Sequence, residues 1–339
     1  MNVKTNSCCL FFLTLLSSLS SGAFADTPIE ECVLAYFYEG KATMTLKDVR
    51  DACTIEKTER QTTQSTTNSS GIISRRINSE RQTQHEPFVI TPHKMNYFLP
   101  AISTTEINRT VYEGVNGIAD NLEDLEAKYQ LSLKVPLNAS SILIDGDGLY
   151  AGFTLQAWWQ IYADDISKPF RETNYQPELF YFAPVGWQPF GGNTSVMVGI
   201  EHQSNGRRQA LSRSWNRVYA SFLYEKDNFA MALRPWVRLS EDPKTSEFDA
   251  EGDDNPDIDD FMGHYELGMV YNWNSLELSF TGRRNFSTHK GAAELGLTFP
   301  LWGKIHGYAT VFTGYGESMI DYNHKQTRVG LGIALNGVL

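Results

Sequence analysis

From residue 87 to the end of the chain, large apolar residues recur at every second position in short runs. The residues between them are charged, amidic or small. Period two belongs to extended strands, whose successive side chains point to opposite faces. Met231, Leu233, Val237 and Leu239 share one face of such a run, with Arg234, Trp236 and Arg238 on the other. Tyr265, Leu267, Met269, Tyr271 and Trp273 likewise oppose His264, Glu266 and Asn272. Near the end Val329, Leu331, Ile333 and Leu335 oppose Gly330, Gly332, Ala334 and Asn336. The pattern predicts twelve strands, near 95–102, 129–137, 149–161, 175–184, 194–204, 214–224, 229–239, 262–273, 275–285, 291–299, 304–314 and 326–336. An even number suits a closed antiparallel sheet.

Two architectures bury such a pattern. A soluble sandwich turns its apolar face into a core, whereas a membrane barrel turns it out to lipid. The other face decides between them. It carries Arg, Glu, His and Asn at strand centres beside small residues, which suits a narrow polar lumen. Short links such as Trp273-Asn274 alternate with long polar ones such as 240–261, a habit of outer-membrane barrels. Sixteen Tyr and seven Trp are available for interfacial girdles. The expectation for 87–339 is therefore all-β: a twelve-stranded antiparallel transmembrane β-barrel with a small N-terminal extension.

The first 25 residues read as a signal peptide. Lys4 is followed by an apolar stretch from Cys8 to Leu16 and a small-residue cleavage site at Ala23-Phe24-Ala25. Its removal takes Cys8 and Cys9 with it. Cys32 and Cys53 then remain as an even pair in an exported chain, which favours a disulfide over a metal site. Residues 26–86 are expected to hold this cysteine-bracketed unit and, over 54–86, a flexible linker rich in Thr, Gln, Ser, Asn and Arg. The net charge of -11 and the scattered basic residues argue against nucleic acid as a partner.

The chemistry concentrates in one hairpin. Val196, Val198, Ile200, His202 and Ser204 share a face, and three of the five are aliphatic, so this is the side that meets lipid. Two residues apart on a strand, the His202 and Ser204 side chains are about 6.5–7 Å apart at Cβ, close enough for imidazole to reach hydroxyl. Asn216, Val218, Ala220 and Phe222 repeat the pattern on the following strand. With 205–213 as the hairpin loop, symmetric pairing sets Asn216 directly across from His202. His202 is then a candidate base, Ser204 a nucleophile and Asn216 the group that orients the imidazole. Polar side chains on a hydrocarbon-facing wall are costly, which sets these three apart from ordinary strand composition.

The segments His202-Gln203-Ser204-Asn205-Gly206 and Ser212-Arg213-Ser214-Trp215-Asn216-Arg217 resemble the signature of the outer membrane phospholipase A family. The resemblance runs from Pro87-Phe88-Val89-Ile90-Thr91-Pro92-His93 through Phe170-Arg171-Glu172-Thr173-Asn174-Tyr175-Gln176-Pro177 to the C-terminus. It implies a twelve-stranded barrel in the bacterial outer membrane, hydrolysis of sn-1 and sn-2 acyl esters of phospholipids and lysophospholipids, and activity as a calcium-bound homodimer. By position it implies Ser204 as nucleophile, His202 as base and Asn216 as orienter. It further implies Ca2+ held by the Arg207 carbonyl and the Ser212 hydroxyl of one subunit and by Ser167 of the other. Oxygen ligands suit that ion. Two departures stand out: Leu155 occupies a position that can carry a polar glutamine at the dimer face, and the chain ends on Leu339 rather than an aromatic residue.

Two other readings remain open at this point. One is a lipid A deacylase, since a smaller barrel family also carries His and Ser on its outer wall. The other is a non-enzymatic, porin-like barrel. The acidic stretch from Asp249 to Asp260 reads as a solvated outer loop, Asp145-Gly146-Asp147-Gly148 as a turn, and His264 and His289 as lumen or loop residues.

Overall fold

Each of the twelve alternating runs is a strand in the computed structural model, which describes Lys47, 71–86, 88–115, 117–246, Asp249 and 252–337. The expected signal peptide, the expected Cys32–Cys53 disulfide and most of the expected linker lie outside the described residues. In chain order the strands are β1 (Thr91–Pro92), β2 (Tyr97–Thr104), β3 (Leu125–Pro136), β4 (Gly148–Trp159), β5 (Phe170–Val185), β6 (Asn193–Ser204) and β7 (Ser214–Lys226). They continue as β8 (Phe229–Leu239), β9 (Tyr265–Trp273), β10 (Leu276–Arg284), β11 (Gly291–Trp302), β12 (Ile305–Tyr315) and β13 (Lys325–Ala334).

From β2 to β13 every strand pairs antiparallel with its neighbours in sequence, and β2 pairs with β13 to close the cylinder. The two-residue β1 adds to β3 beyond the end of its pairing with β2, so twelve strands form the wall. One end carries tight links: Asp227-Asn228, Asn274-Ser275 and Gly303-Lys304. Asp227, Asn274 and Gly303 take φ of 52°, 56° and 57°, the positive values that two-residue hairpin turns require. At the opposite end lie the longer connections, including 205–213 and 240–264.

The parity is as expected. Leu131, Leu133, Phe153, Leu179, Val198, Ile200, Phe222, Val237, Leu295 and Leu331 are exposed on the outside. Glu126, Lys128, Gln130, Arg171, Glu178, Glu201, Arg217 and Arg328 are buried within. Trp187, Trp273 and Trp302 are exposed beside the tight turns, where an interfacial girdle belongs. A wall of this kind is stable only with hydrocarbon outside it.

The lumen is filled by ion pairs. Arg171 makes two contacts of 3.0 Å to the Glu126 carboxylate and one of 2.9 Å to Asp321. Arg328 reaches the same Glu126 at 2.6 Å and Glu317 at 3.2 Å, while Lys128 meets Glu317 at 2.8 Å. Buried charges persist only when paired and hydrogen-bonded in this way.

One expectation needs correcting. Within the supposed linker 54–86, Ile72–Arg81 form a helix, α1. Its residues Ile72 and Ile73 pack with Ala230 and Val270. Composition misled here because the contacts that order the segment come from the wall. Glu225 of β7 accepts from the Ile73 N–H at 2.5 Å, from the Ser74 N–H at 3.1 Å and from the Ser74 hydroxyl. A carboxylate at a helix N-terminus meets both the free N–H groups and the positive end of the dipole. Arg76 donates to the Pro92 and His93 carbonyls at 2.7 and 2.9 Å, and Lys134 pairs with Glu80 at 2.7 Å. The turn expected at 145–148 is present: Asp147 accepts from the N–H groups of Ile142, Leu143 and Ile144 and from the Tyr181 hydroxyl.

Candidate active site on the outer wall

β6 and β7 pair without a bulge, so Val198↔Ala220, Ile200↔Val218 and His202↔Asn216 are direct partners. This register places His202 and Asn216 on the apolar outer face, at the end of the strands that bears the long loops. His202 Nδ1 lies 2.8 Å from Asn216 Oδ1. Amide oxygen only accepts, so Nδ1 carries the proton and Nε2 is left as the basic nitrogen. Ser204 follows on the same face and is half-buried. Among the described residues no hydrogen bond joins its hydroxyl to His202; contacts of that kind are often long before substrate binds. Tyr175 of β5 pairs with Ser204 from the other side, and with Leu179 it extends the apolar surface beside it.

The loop after Ser204 is held by Asn205, a residue the sequence pattern did not single out. Its side chain donates to the Leu211 carbonyl at 2.8 Å and accepts from the N–H groups of Arg207 at 3.2 Å and Arg213 at 3.0 Å. Gly206, at φ 64°, makes the bend that lets this happen. On the inner face Trp215 donates to Gln203 at 2.9 Å, fixing the backbone that carries His202 and Ser204.

Of the three expected calcium ligands, two lie on this loop. Ser212 donates its hydroxyl proton to Asp254 at 2.8 Å, and Ser214 donates to the same oxygen at 3.1 Å. A hydroxyl committed as donor to a carboxylate turns its lone pairs outward, and the carboxylate adds negative charge behind it. That suits a hard cation bound by oxygen atoms. The Arg207 guanidinium donates to the carbonyls of Phe170 and Arg171 at 2.9 and 2.8 Å, fixing this residue against β5. Ser167 is exposed on the loop between β4 and β5 and takes no part in the Ser212–Asp254 hydrogen bonds. Among the described residues no group of three His, Cys, Asp or Glu could hold a metal ion; hydroxyls and carbonyls are donors of a different kind.

The acidic stretch is not simply solvated. Asp253 pairs with Arg238 at 2.5 Å, Asp254 pairs with Lys244, and Asp257 accepts from Tyr322 at 2.7 Å. Sequence reasoning missed these contacts because the path of the loop brings Arg238 and Lys244 back onto it and places Tyr322, 65 residues on, beside it. At the expected dimer face Leu155 faces out, while Gln156 turns inward and donates to Gln130 at 2.8 Å.

Comparison with known proteins assigns the chain to a family. The sequence model of the family "Phospholipase A1" matches residues 73–335. Phospholipase A1 of Klebsiella pneumoniae is 39% identical over 257 residues, covering 75% of this chain and 85% of the relative. Among solved structures, outer membrane phospholipase A of Escherichia coli superposes with a TM-score of 0.71 at 38% identity, covering 78% of this chain and 98% of that one. An active-site mutant of the same E. coli protein, with an asparagine changed to alanine, matches equally well at 0.71 and 37% identity. The outer membrane phospholipase of Salmonella typhi, a dimer with bound calcium, matches with a TM-score of 0.70, 38% identity and 78% and 98% coverage. This chain belongs to the Phospholipase A1 family.

Proposed function

We propose that this protein is an outer-membrane phospholipase that cleaves acyl esters of phospholipids and lysophospholipids, at sn-1 and sn-2, with Ser204, His202 and Asn216. The observation that carries the reading is the 2.8 Å contact between His202 Nδ1 and Asn216 Oδ1 on an otherwise apolar outer face. His202 Nε2 takes the proton from Ser204 Oγ as the oxygen attacks the ester carbonyl. The same nitrogen returns it to the departing alcohol, leaving an acyl group on Ser204. Water then repeats the sequence and frees the fatty acid. Asn216 holds the imidazole tautomer throughout and accepts from Nδ1–H while the ring is charged. The aliphatic surface of Val198, Ile200, Val218 and Leu179 accommodates acyl chains without removing them from hydrocarbon.

Ca2+ would be held by the Arg207 carbonyl and the Ser212 hydroxyl, with Ser167 contributed by a second copy of the chain. When bound, it supplies positive charge for the oxyanion of the tetrahedral intermediate. A dimer joined through the outer wall would bring that second ligand into place. The calcium-bound dimer of the S. typhi relative supports this arrangement.

The test is hydrolysis of phosphatidylethanolamine in mixed micelles with calcium, comparing wild type with Ser204→Ala. The variant is expected to fold and to lose activity by a factor of at least about 10³. Undiminished hydrolysis by Ser204→Ala would remove the mechanism. Release of acyl chains from lipopolysaccharide but not from phosphatidylethanolamine would instead favour a lipid A deacylase.

A further inference from the structure

Asn216 has a second partner. Its amide nitrogen donates to Glu241 Oε1 at 2.6 Å. Glu241 lies just beyond β8, two residues after Leu239, which is the β8 partner of Asn216. It is half-buried, so its carboxylate is partly shielded from water. The geometry points to Glu241 as a positioning residue for catalysis: a fourth member that fixes the amide of Asn216 and places a negative charge behind the imidazole. This rests on the assignment of His202 and Asn216 made above.

The physical case has two parts. First, an asparagine amide is ambiguous, since oxygen and nitrogen differ little in shape and either could face His202. An ionised carboxylate only accepts, so it holds the NH2 end of Asn216 and leaves Oδ1 for His202 Nδ1. Only in that orientation is Nδ1 protonated and Nε2 free to act as base toward Ser204. Glu241 thus sets the histidine tautomer at one remove.

Second, Asn216 is neutral and stabilises the imidazolium less than a carboxylate would. When the ring accepts the Ser204 proton, charge develops on His202. The amide between His202 and Glu241 is polarised by the carboxylate, which makes Oδ1 a better acceptor. Glu241 keeps its charge throughout and no proton passes to it. From His202 through Asn216 to Glu241 each link runs donor to acceptor in one sense, and Ser204 would join at the other end by donating to His202 Nε2.

The pattern along the strands could not show this contact. Asn216 and Glu241 are 25 residues apart, and Glu241 belongs to a loop whose path no periodicity describes.

The experiment uses the full chain, refolded in detergent with calcium and assayed on phosphatidylethanolamine micelles; the gel shift between folded and boiled barrel reports folding. Ser204→Ala runs alongside. For Glu241→Ala the expected result is kcat lower by about ten- to hundredfold with KM unchanged, as for other supporting hydrogen-bond partners. Glu241→Gln, which keeps an acceptor oxygen but no charge, should fall between that variant and wild type.

The decisive pair is Asn216→Asp alone and together with Glu241→Gln. Alone, the new carboxylate meets Glu241 at hydrogen-bond distance and activity drops. With Glu241→Gln, the glutamine amide donates to the new carboxylate, and at least about tenfold of the lost kcat returns, because two like charges no longer face each other. A Glu241 that does not touch Asn216 would give no such rescue, while the loss of kcat at unchanged KM in folded Glu241→Ala separates positioning from mere packing. Full kcat in folded Glu241→Ala, or no recovery in the double variant, overturns the inference. If Ser204→Ala is inactive in the same assay, that failure belongs to Glu241 alone; if Ser204→Ala is active, the catalytic assignment itself falls.

Discussion

Ser212 donates its hydroxyl proton to Asp254 across 42 residues of chain, at 2.8 Å. The contact ties the hairpin loop that follows the proposed nucleophile, Ser204, to the acidic loop before β9. Removing the carboxylate should leave the hydroxyl free to rotate and should strip negative charge from the proposed cation site. Asp254→Ala is expected to raise the calcium concentration for half-maximal activity by about tenfold. A calcium titration of activity checks it. Chelation should abolish hydrolysis reversibly while the folded band on the gel persists, since the wall does not depend on the ion.

Glu126 receives both Arg171 and Arg328. Glu126→Ala leaves two buried guanidinium groups without their shared partner, a loss on the order of 3–5 kcal/mol. The midpoint of urea unfolding in lipid vesicles should fall accordingly. An unchanged midpoint would show that water compensates the two charges.

Leu233 faces outward at the middle of β8, between Phe222 and Leu267. Leu233→Arg should destabilise the membrane-inserted barrel by roughly 2–4 kcal/mol. The same change at Ser140, exposed in the loop between β3 and β4, should leave stability unaltered. Equal effects at the two positions would argue against a lipid-facing wall.

Glu225 caps α1 with one carboxylate for two backbone N–H groups and a hydroxyl. Glu225→Ala should release the helix without opening the barrel. Hydrogen exchange over 72–81 is expected to rise severalfold while exchange in β6 and β7 stays as it was.

Burial alone would raise the pKa of Asp147. The Tyr181 hydroxyl and three backbone N–H groups overcome that and hold the carboxyl well below its ordinary 3.8. A group depressed on folding stabilises the native state above its unfolded pKa, and that contribution is lost as pH falls below about 3.8 toward the folded value. The Asp145–Gly148 turn should therefore stay ordered at neutral and mildly acidic pH and loosen only in strong acid. Exchange at Ile142, Leu143 and Ile144 against pH measures it, with Asp147→Ala as the variant that is loose throughout.

The wall was legible in the sequence because one rule governs every residue in it. A strand between lipid and a polar lumen has no freedom of parity, so alternation located all twelve strands and set His202, Ser204 and Asn216 on one face. The helix α1 was not legible. It has only Ile72, Ile73 and Ile77 as apolar residues, and its order comes from Glu225, Pro92 and His93, whose positions follow from the closed barrel. Asp254 and Glu241 were hidden for the same reason. Both sit in a charged connection that composition describes as solvated, and each acquires a partner only once β7 and β8 stand side by side.

Several ion pairs inside the barrel join strands that are not neighbours. Arg171 of β5 and Arg328 of β13 both grip Glu126 of β3, and Arg234 of β8 grips Glu201 of β6. Ladder hydrogen bonds alone would let a cylinder flatten under lateral pressure, as a hoop does. Cross-links of this kind act as spokes and keep the outline round. The proposed catalytic patch on the rim would then hold its ångström-scale spacing while the surrounding bilayer thickens, thins or curves.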